Sequence, residues 1–219
     1  MHCSIGRGYE LCQDHRARGH DATIEACVHY LVLDEENDVA RLGGKAKINP
    51  PVRPRAEVEA LWRHLAAGHV TVVSTDHVSW SEDRKTDPVM LNNASGVPGL
   101  EVLYTLLLDG LLKRGLSPVW AARLLAANPA RLFRIGHRKG ALEPGRDADI
   151  VVMARDPRRY DAGASGNNFV GWSPYQGMAL DYRPVATFQR GEMVFDGTRV
   201  LAEPGAGRFV TPARALAEN

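Results

Sequence analysis

The stretch from Val70 to Trp80 runs from an apolar β-branched segment, Val70-Thr71-Val72-Val73, into Ser74-Thr75-Asp76-His77. Such a run reads as a buried strand, and its carboxyl end sets a carboxylate beside an imidazole. In folds that alternate strands and helices, the loops at the carboxyl ends of the strands form the reactive face. A carboxylate placed there holds a divalent cation or carries a proton, which makes Asp76 the first candidate catalytic residue. The alternative is that Asp76 only caps the turn after it.

The rest of the composition narrows the class. With 219 residues, 44% of them hydrophobic and 24% charged, the chain has enough material for a sizeable core. A net charge of +1, with the basic residues spread along the chain, supplies no field for nucleic acid or an anionic membrane. No apolar run approaches the length of a membrane span, and Met1 leads into His2 without a basic or apolar leader. Three cysteines, Cys3, Cys12 and Cys27, are an odd number without zinc-finger spacing. They suggest a reducing compartment, and a cytoplasmic location is expected.

The elements that must position Asp76 follow from pattern. Met1 to Ile5 reads as a strand fragment that lacks a preceding partner, so upstream sequence is expected. A helix should run from Tyr9 to Arg18 and stop at Gly19. Ala22 to Cys27 alternates like a strand, continued by His29 to Leu33, and a third strand, Ala46 to Asn49, should stop at Pro50-Pro51. Val58, Leu61, Trp62 and Leu65 fall on one face of a helix from Arg55 to Ala66, just before the Val70 strand. The polar segment Ser79 to Gly99 is long enough to be expected to line a site. Leu100 to Arg114 is an apolar helix, and Ser117-Pro118 and Asn128-Pro129 each predict a capped helix start. After Glu143-Pro144-Gly145 the pattern becomes β: Ala148 to Met153, then two strands between Pro184 and Val200 around Arg190-Gly191, with Arg155 to Tyr182 read as loop. The tail after Gly205 should cross over or wander. Two units are expected, 1–140 and a β-rich 141–219.

Several short segments resemble the cyclic amidohydrolases, the family of hydantoinase or dihydropyrimidinase, allantoinase and dihydroorotase, and specifically their carboxyl-terminal half. His2-Cys3-Ser4 is similar to the family's His-x-Ser strand end. Glu25-Ala26-Cys27-Val28-His29-Tyr30-Leu31 resembles its Glu-x-Cys-Pro-His-Tyr-Leu, and Asn49-Pro50-Pro51-Val52-Arg53 its Asn-Pro-Pro-Leu-Arg. Ser74-Thr75-Asp76-His77 resembles its Ser-Asp-His element. Asn128-Pro129-Ala130-Arg131-Leu132-Phe133, Gly145-Arg146-Asp147-Ala148-Asp149 and Ser173-Pro174-Tyr175-Gln176-Gly177 follow in family order.

The resemblance implies an α/β chain comprising the last strands and helices of a (β/α)8 TIM barrel, plus a small β-sandwich portion. It implies a metal-dependent hydrolase of cyclic amides or ureides, with two divalent ions, zinc above all, in a complete site. His2 matches a histidine ligand, and Asp76 matches the aspartate ligand that also moves the proton. Asn49, Ser95 and Gly96 match substrate-binding positions, although Asn and Ser equally serve turns. The family's amino-terminal His-x-His, its lysine and a further histidine have no counterpart here, so an incomplete chain is expected. His29, His64, His69 and His77 match none of the missing ligands. Trp80 stands where dihydroorotases carry a histidine, and an aromatic followed by Lys85 is closer to hydantoinase. The partners implied are a small cyclic amide and, because a partial barrel leaves a sheet edge open, further copies of the chain in a homo-oligomer. The competing reading is a non-catalytic amidohydrolase-like scaffold.

Overall fold

The computed structural model describes residues 1–213. Its first part is a run of parallel strand segments wrapped by helices. Strand β1 (Glu25–Cys27) pairs in parallel with β2 (Val72–Ser74), with Glu25 opposite Val72 and Cys27 opposite Ser74. Thr71 donates to the carbonyl of Ile24, and Val28 to that of Ser74, extending the ladder at both ends. The extended segment at His2–Ser4 lies on the other side of β1, where the Cys3 amide donates to the Glu25 carbonyl at 3.0 Å.

The helices are α1 (Gly6–Ala17), α2 (His29–Val32), α3 (Ala40–Leu42), α4 (Arg55–Ala66), α5 (Leu103–Lys113), α6 (Val119–Ala122) and α7 (Asn128–Leu132). The α4 face anticipated from spacing is the one buried: Val58, Leu61, Trp62 and Leu65. Trp62 donates its indole N–H to the Leu31 carbonyl at 2.7 Å and fills the space over Gly110 of α5, where an added Cβ would stand 2.5 Å from the ring. Gly110→Ala should therefore destabilise by about 1–3 kcal/mol through overpacking, read as a lower urea midpoint at unchanged slope.

Three expectations are corrected. The strand does not continue through His29 to Leu33: β1 ends at Cys27 and α2 begins, which lets His29, Tyr30 and Leu31 all be buried rather than every second one. Ala46 to Asn49 is not a strand; a 3-10 turn over Gly43–Ala46 leads into a loop. Asn128 begins α7 but does not cap it. Helical backbone runs on from α6 through a π turn at Arg123–Ala127 into α7, and the Asn128 side chain instead donates to the Thr71 carbonyl at 2.7 Å. Ser117 does accept from the Val119 amide at 3.3 Å, so the first of the two start signals holds.

The second part is an antiparallel sheet in the order β3 (Ile150–Arg159), β4 (Ala179–Gln189), β5 (Glu192–Phe195). The tight connection at Arg190-Gly191 is as expected, but β3 and β4 extend into the segment read as loop. Bulges after Val152 and Arg155 shift the register and break the two-residue alternation that a sequence pattern needs. The core is continuous across residue 140: Tyr160, Trp172, Tyr175 and Leu180 pack in the same cluster as Leu61, Leu107 and Leu111. Asp109 of α5 accepts the Asp181 amide of β4 at 2.7 Å. Beyond Gly205 the tail returns to the first part, where Ala213 donates to the Arg134 carbonyl; the rest of the expected tail lies outside the described residues.

Where α4 meets the segment before β2, His64 and His69 share a 2.9 Å contact between their Nδ1 atoms, with Tyr9 stacked on His64. Burial holds His64 below its ordinary value of 6.5, the neighbouring His69 and Arg63 act the same way, and Glu10 opposes them. The unfolded chain therefore binds more protons just below about pH 6.5, so this contribution is present above that pH and is lost on acidification. Melting temperature should fall from neutral pH to about pH 5, and less steeply in His64→Gln.

Candidate metal centre

The parallel pairing of β1 with β2 and the bond from the Cys3 amide to the Glu25 carbonyl bring His2, the β1 side chains and the residues after β2 together. Along β1, successive side chains point to opposite faces, so Glu25 and Cys27 share one face. His2 sits at the end of the segment beside β1, and Asp76 lies two residues past β2. His2 Nδ1 stands 3.6 Å from Asp76 Oδ2, and its Nε2 stands 3.8 Å from Glu25 Oε2. The Glu25 carboxylate also accepts the His2 amide at 3.2 Å. His2 and Asp76 both have left-handed backbone, φ 54° and 46°, and among the described residues only Arg134 and Arg190 also do so without being glycine. Backbone of this kind in non-glycine residues collects at functional sites, where surrounding structure holds the strain. Each of the two side chains keeps more than a quarter of its surface open.

Beneath them the side chains are buried. Cys27 Sγ lies 3.5 Å from Ser74 Oγ. Burial pushes its thiol up to about 12, with the Ser74 contact opposing, so without a cation it is a neutral S–H. His29 is fully buried, and both ring nitrogens lack a hydrogen-bond partner. Burial, with the neighbouring His2 acting the same way and Thr75 opposing, pulls it down to about 3; the ring is neutral. Glu25, Cys27 and His29 were not among the candidates from sequence. Their two-residue spacing was the signal available, visible only once β1 was known to lie between the segments carrying His2 and Asp76.

The remaining candidates occupy one loop cluster. Val78 donates to the Val97 carbonyl at 3.0 Å, which sets Ser95 and Gly96 beside the chain that follows Asp76. Trp80 donates to the Ser95 carbonyl, and the Gly96 amide to that of Lys47, two residues before the exposed Asn49. At Gly96, φ is +113° and an added Cβ would come 2.5 Å from Val78, so glycine is required by the chain's close approach. Neighbouring Asn93 is a loop staple: it accepts the Asp87 amide and donates to the carbonyls of Asp87 and Val89. His77 faces away from the metal-type donors, accepting the amides of Gly99 and Leu100 at 3.1 and 3.2 Å. A cavity of about 800 Å³ beyond it, lined by Leu100, Phe169, Phe188 and Phe195, includes neither His2 nor Asp76.

An imidazole and a carboxylate converging at strand ends is one reading of this geometry; the wider comparison decides the family. The sequence model of the amidohydrolase family matches residues 4–194. The chain belongs to the amidohydrolase family. An allantoinase of Rubrobacter xylanophilus is 41% identical along the whole chain, and a D-phenylhydantoinase of Escherichia coli is 33% identical over 96% of it. The L-hydantoinase (dihydropyrimidinase) structure from Arthrobacter aurescens superposes with a TM-score of 0.88 at 32% identity, over 96% of this chain and 47% of that one. This amidohydrolase chain spans about half the length of the curated relatives it matches, 48% and 46% for the two named. Among its described residues, no helix is long and apolar enough to cross a membrane.

Proposed function

We propose that the chain is the carboxyl-terminal portion of a metal-dependent hydrolase that opens cyclic amides or ureides, with His2 and Asp76 as its contributions to the metal site. The observation that carries this reading is the 3.6 Å approach of His2 and Asp76, both on left-handed backbone at neighbouring strand ends. The donor chemistry fits a borderline dication such as zinc, for which imidazole and carboxylate are ordinary ligands. When bound, such an ion supplies Lewis-acid polarisation and an activated water, and two ions would fill a complete site. His2 would hold the ion. Asp76 would hold it and also take a proton at its carboxylate, then pass that proton to the leaving nitrogen. Asn49, Ser95 and Gly96 would present the loop surface against the substrate ring. We read the parallel segments as strands of a (β/α)8 barrel, with 1–140 as its partial unit and 141–219 as part of a β-sandwich appendage.

Two ligands do not make a dinuclear site, and the remaining donors would come from outside residues 1–219. The test is ring opening of hydantoin, dihydrouracil and allantoin by this chain and by a form extended at its amino terminus to the length of its relatives. Metal-dependent turnover in the extended form supports the reading, and absence of both metal and turnover there rejects it. The greater identity to an allantoinase makes allantoin the first substrate to try. The cytoplasm is the compartment proposed. Exposed Leu100, Phe169 and Phe209 support self-association. Sedimentation should show dimers or larger species; a compact monomer at all concentrations would contradict this.

A further inference from the structure

His2 has two ring edges, and they face different neighbours. Nδ1 looks at Asp76, whereas Nε2 looks across to Glu25 on β1. A nitrogen of His2, a carboxylate oxygen of Glu25 and Cys27 Sγ all lie within 4.8 Å of one another. Resting on the reading of His2 as a metal-facing residue, we propose that His2, Glu25 and Cys27 form a three-donor site in this chain for a single thiophilic divalent ion, zinc or cadmium.

The geometry is close to what coordination needs. Zinc bonds of about 2.0–2.3 Å to N, O and S put tetrahedral donors roughly 3.3–3.8 Å apart, so the cluster must contract by about 1.5 Å at most. Glu25 and Cys27 are fixed on one strand face two residues apart, and the pairing of β1 with β2 keeps Cys27 opposite Ser74. The remaining parts are those that commonly surround a ligand. Asp76 lies against the far nitrogen of His2, where a carboxylate orients an imidazole ligand and raises its basicity, and the Ser74 hydroxyl lies against the sulfur. Both ring nitrogens of His29, buried and unpartnered, mark the floor beside His2 as an environment where polar atoms lack partners. Binding exchanges the thiol proton of Cys27 for the ion, and that proton leaves to solvent. The soft sulfur is what distinguishes this site from one of imidazole and carboxylates alone, and it shifts preference from magnesium or manganese toward zinc and cadmium.

The experiment titrates the chain with cobalt, zinc or cadmium alone, in a phosphine reductant that leaves cysteines free. One ion per chain is expected, with a thiolate-to-metal charge-transfer band. Cys3 and Cys12 are the other free thiols, so the band should persist in Cys3→Ser/Cys12→Ser and vanish in Cys27→Ser. Glu25→Gln should weaken binding while keeping the band. Asp76→Asn should keep the band with about a 10–100-fold weaker affinity, the effect of losing an orienting partner. Because Cys27 is buried, the cadmium resonance of the unsubstituted chain supplies a readout independent of any variant's folding: one thiolate ligand is expected. A band that survives in Cys27→Ser, or a cadmium resonance without sulfur, overturns the site. Binding without a band that is lost in Asp76→Asn overturns it too but leaves the His2–Asp76 pairing standing. No binding at all by the chain also overturns it, while the function proposed above keeps its own test in the extended form.

Discussion

In an extended form with a complete site, Asp76→Asn should lose about 10²–10⁴-fold in kcat while keeping much of its bound metal. Asparagine preserves the shape of the side chain and one oxygen donor. It also tolerates the left-handed backbone seen at this position, where φ is 46°. What it cannot do is take a proton. The defect should therefore fall on kcat rather than KM, and metal analysis should separate it from loss of the ion. In the present chain the same substitution removes the charge of one of the two carboxylates held beside His2, Asp76 and Glu25, and with it the cost of partly desolvating that charge. That chain should melt slightly higher than wild type. Unchanged turnover of Asp76→Asn in the extended form would remove Asp76 from the chemistry.

The largest loss of stability should come from Lys85→Met. The Lys85 ammonium is 1% exposed and donates to three backbone carbonyls, Lys47 and Ala94 at 2.7 Å and Gly96 at 3.0 Å. Burial, with Lys47 adding to it, pushes the group down to about 8, so at neutral pH it remains charged and all three protons are available. These bonds clamp the loop carrying Ser95 and Gly96 to the loop that leads to Asn49. Methionine matches the length but donates nothing, so the Ala94 and Gly96 carbonyls lose this partner and the Lys47 carbonyl keeps only the Gly96 amide. At about 1 kcal/mol for each bond lost, the cost is about 3 kcal/mol, or roughly 6–12 °C in melting temperature for a chain of this size. Exchange of the Gly96 amide, which donates to Lys47, should accelerate with it. The pH dependence has a definite sign: between about 8 and the ordinary 10.5 the unfolded chain binds the extra proton, so this residue makes stability rise with pH across that window. In Lys85→Met that slope should disappear.

Local elements were more legible in the sequence than the path of the chain between them. The α4 face and the hairpin turn at Arg190-Gly191 were legible because periodicity and turn chemistry are local. His29 to Leu33 was misread because a short apolar run fits either a strand or a helix, and the choice was made by burial against α4 and by the Trp62 bond to Leu31. β3 and β4 were truncated in the reading because bulges cancel alternation. Asn128 looked like a cap, and only the tertiary fold reveals that its amide is spent on Thr71. At the site, Asp76 stood out from the strand pattern that precedes it and His2 through family resemblance, whereas Glu25 and Cys27 needed the register that puts β1 between them.

Metal content of the extended protein, compared among wild type, His2→Ala and Asp76→Ala, bears most directly on the claim that His2 and Asp76 belong to one metal centre. Both substitutions remove a proposed ligand and leave the core untouched, so folding can be checked alongside by circular dichroism. The expected result is about two ions per wild-type chain, with each variant losing at least one of them together with turnover. Full metal occupancy in both variants would contradict the assignment of His2 and Asp76 as ligands.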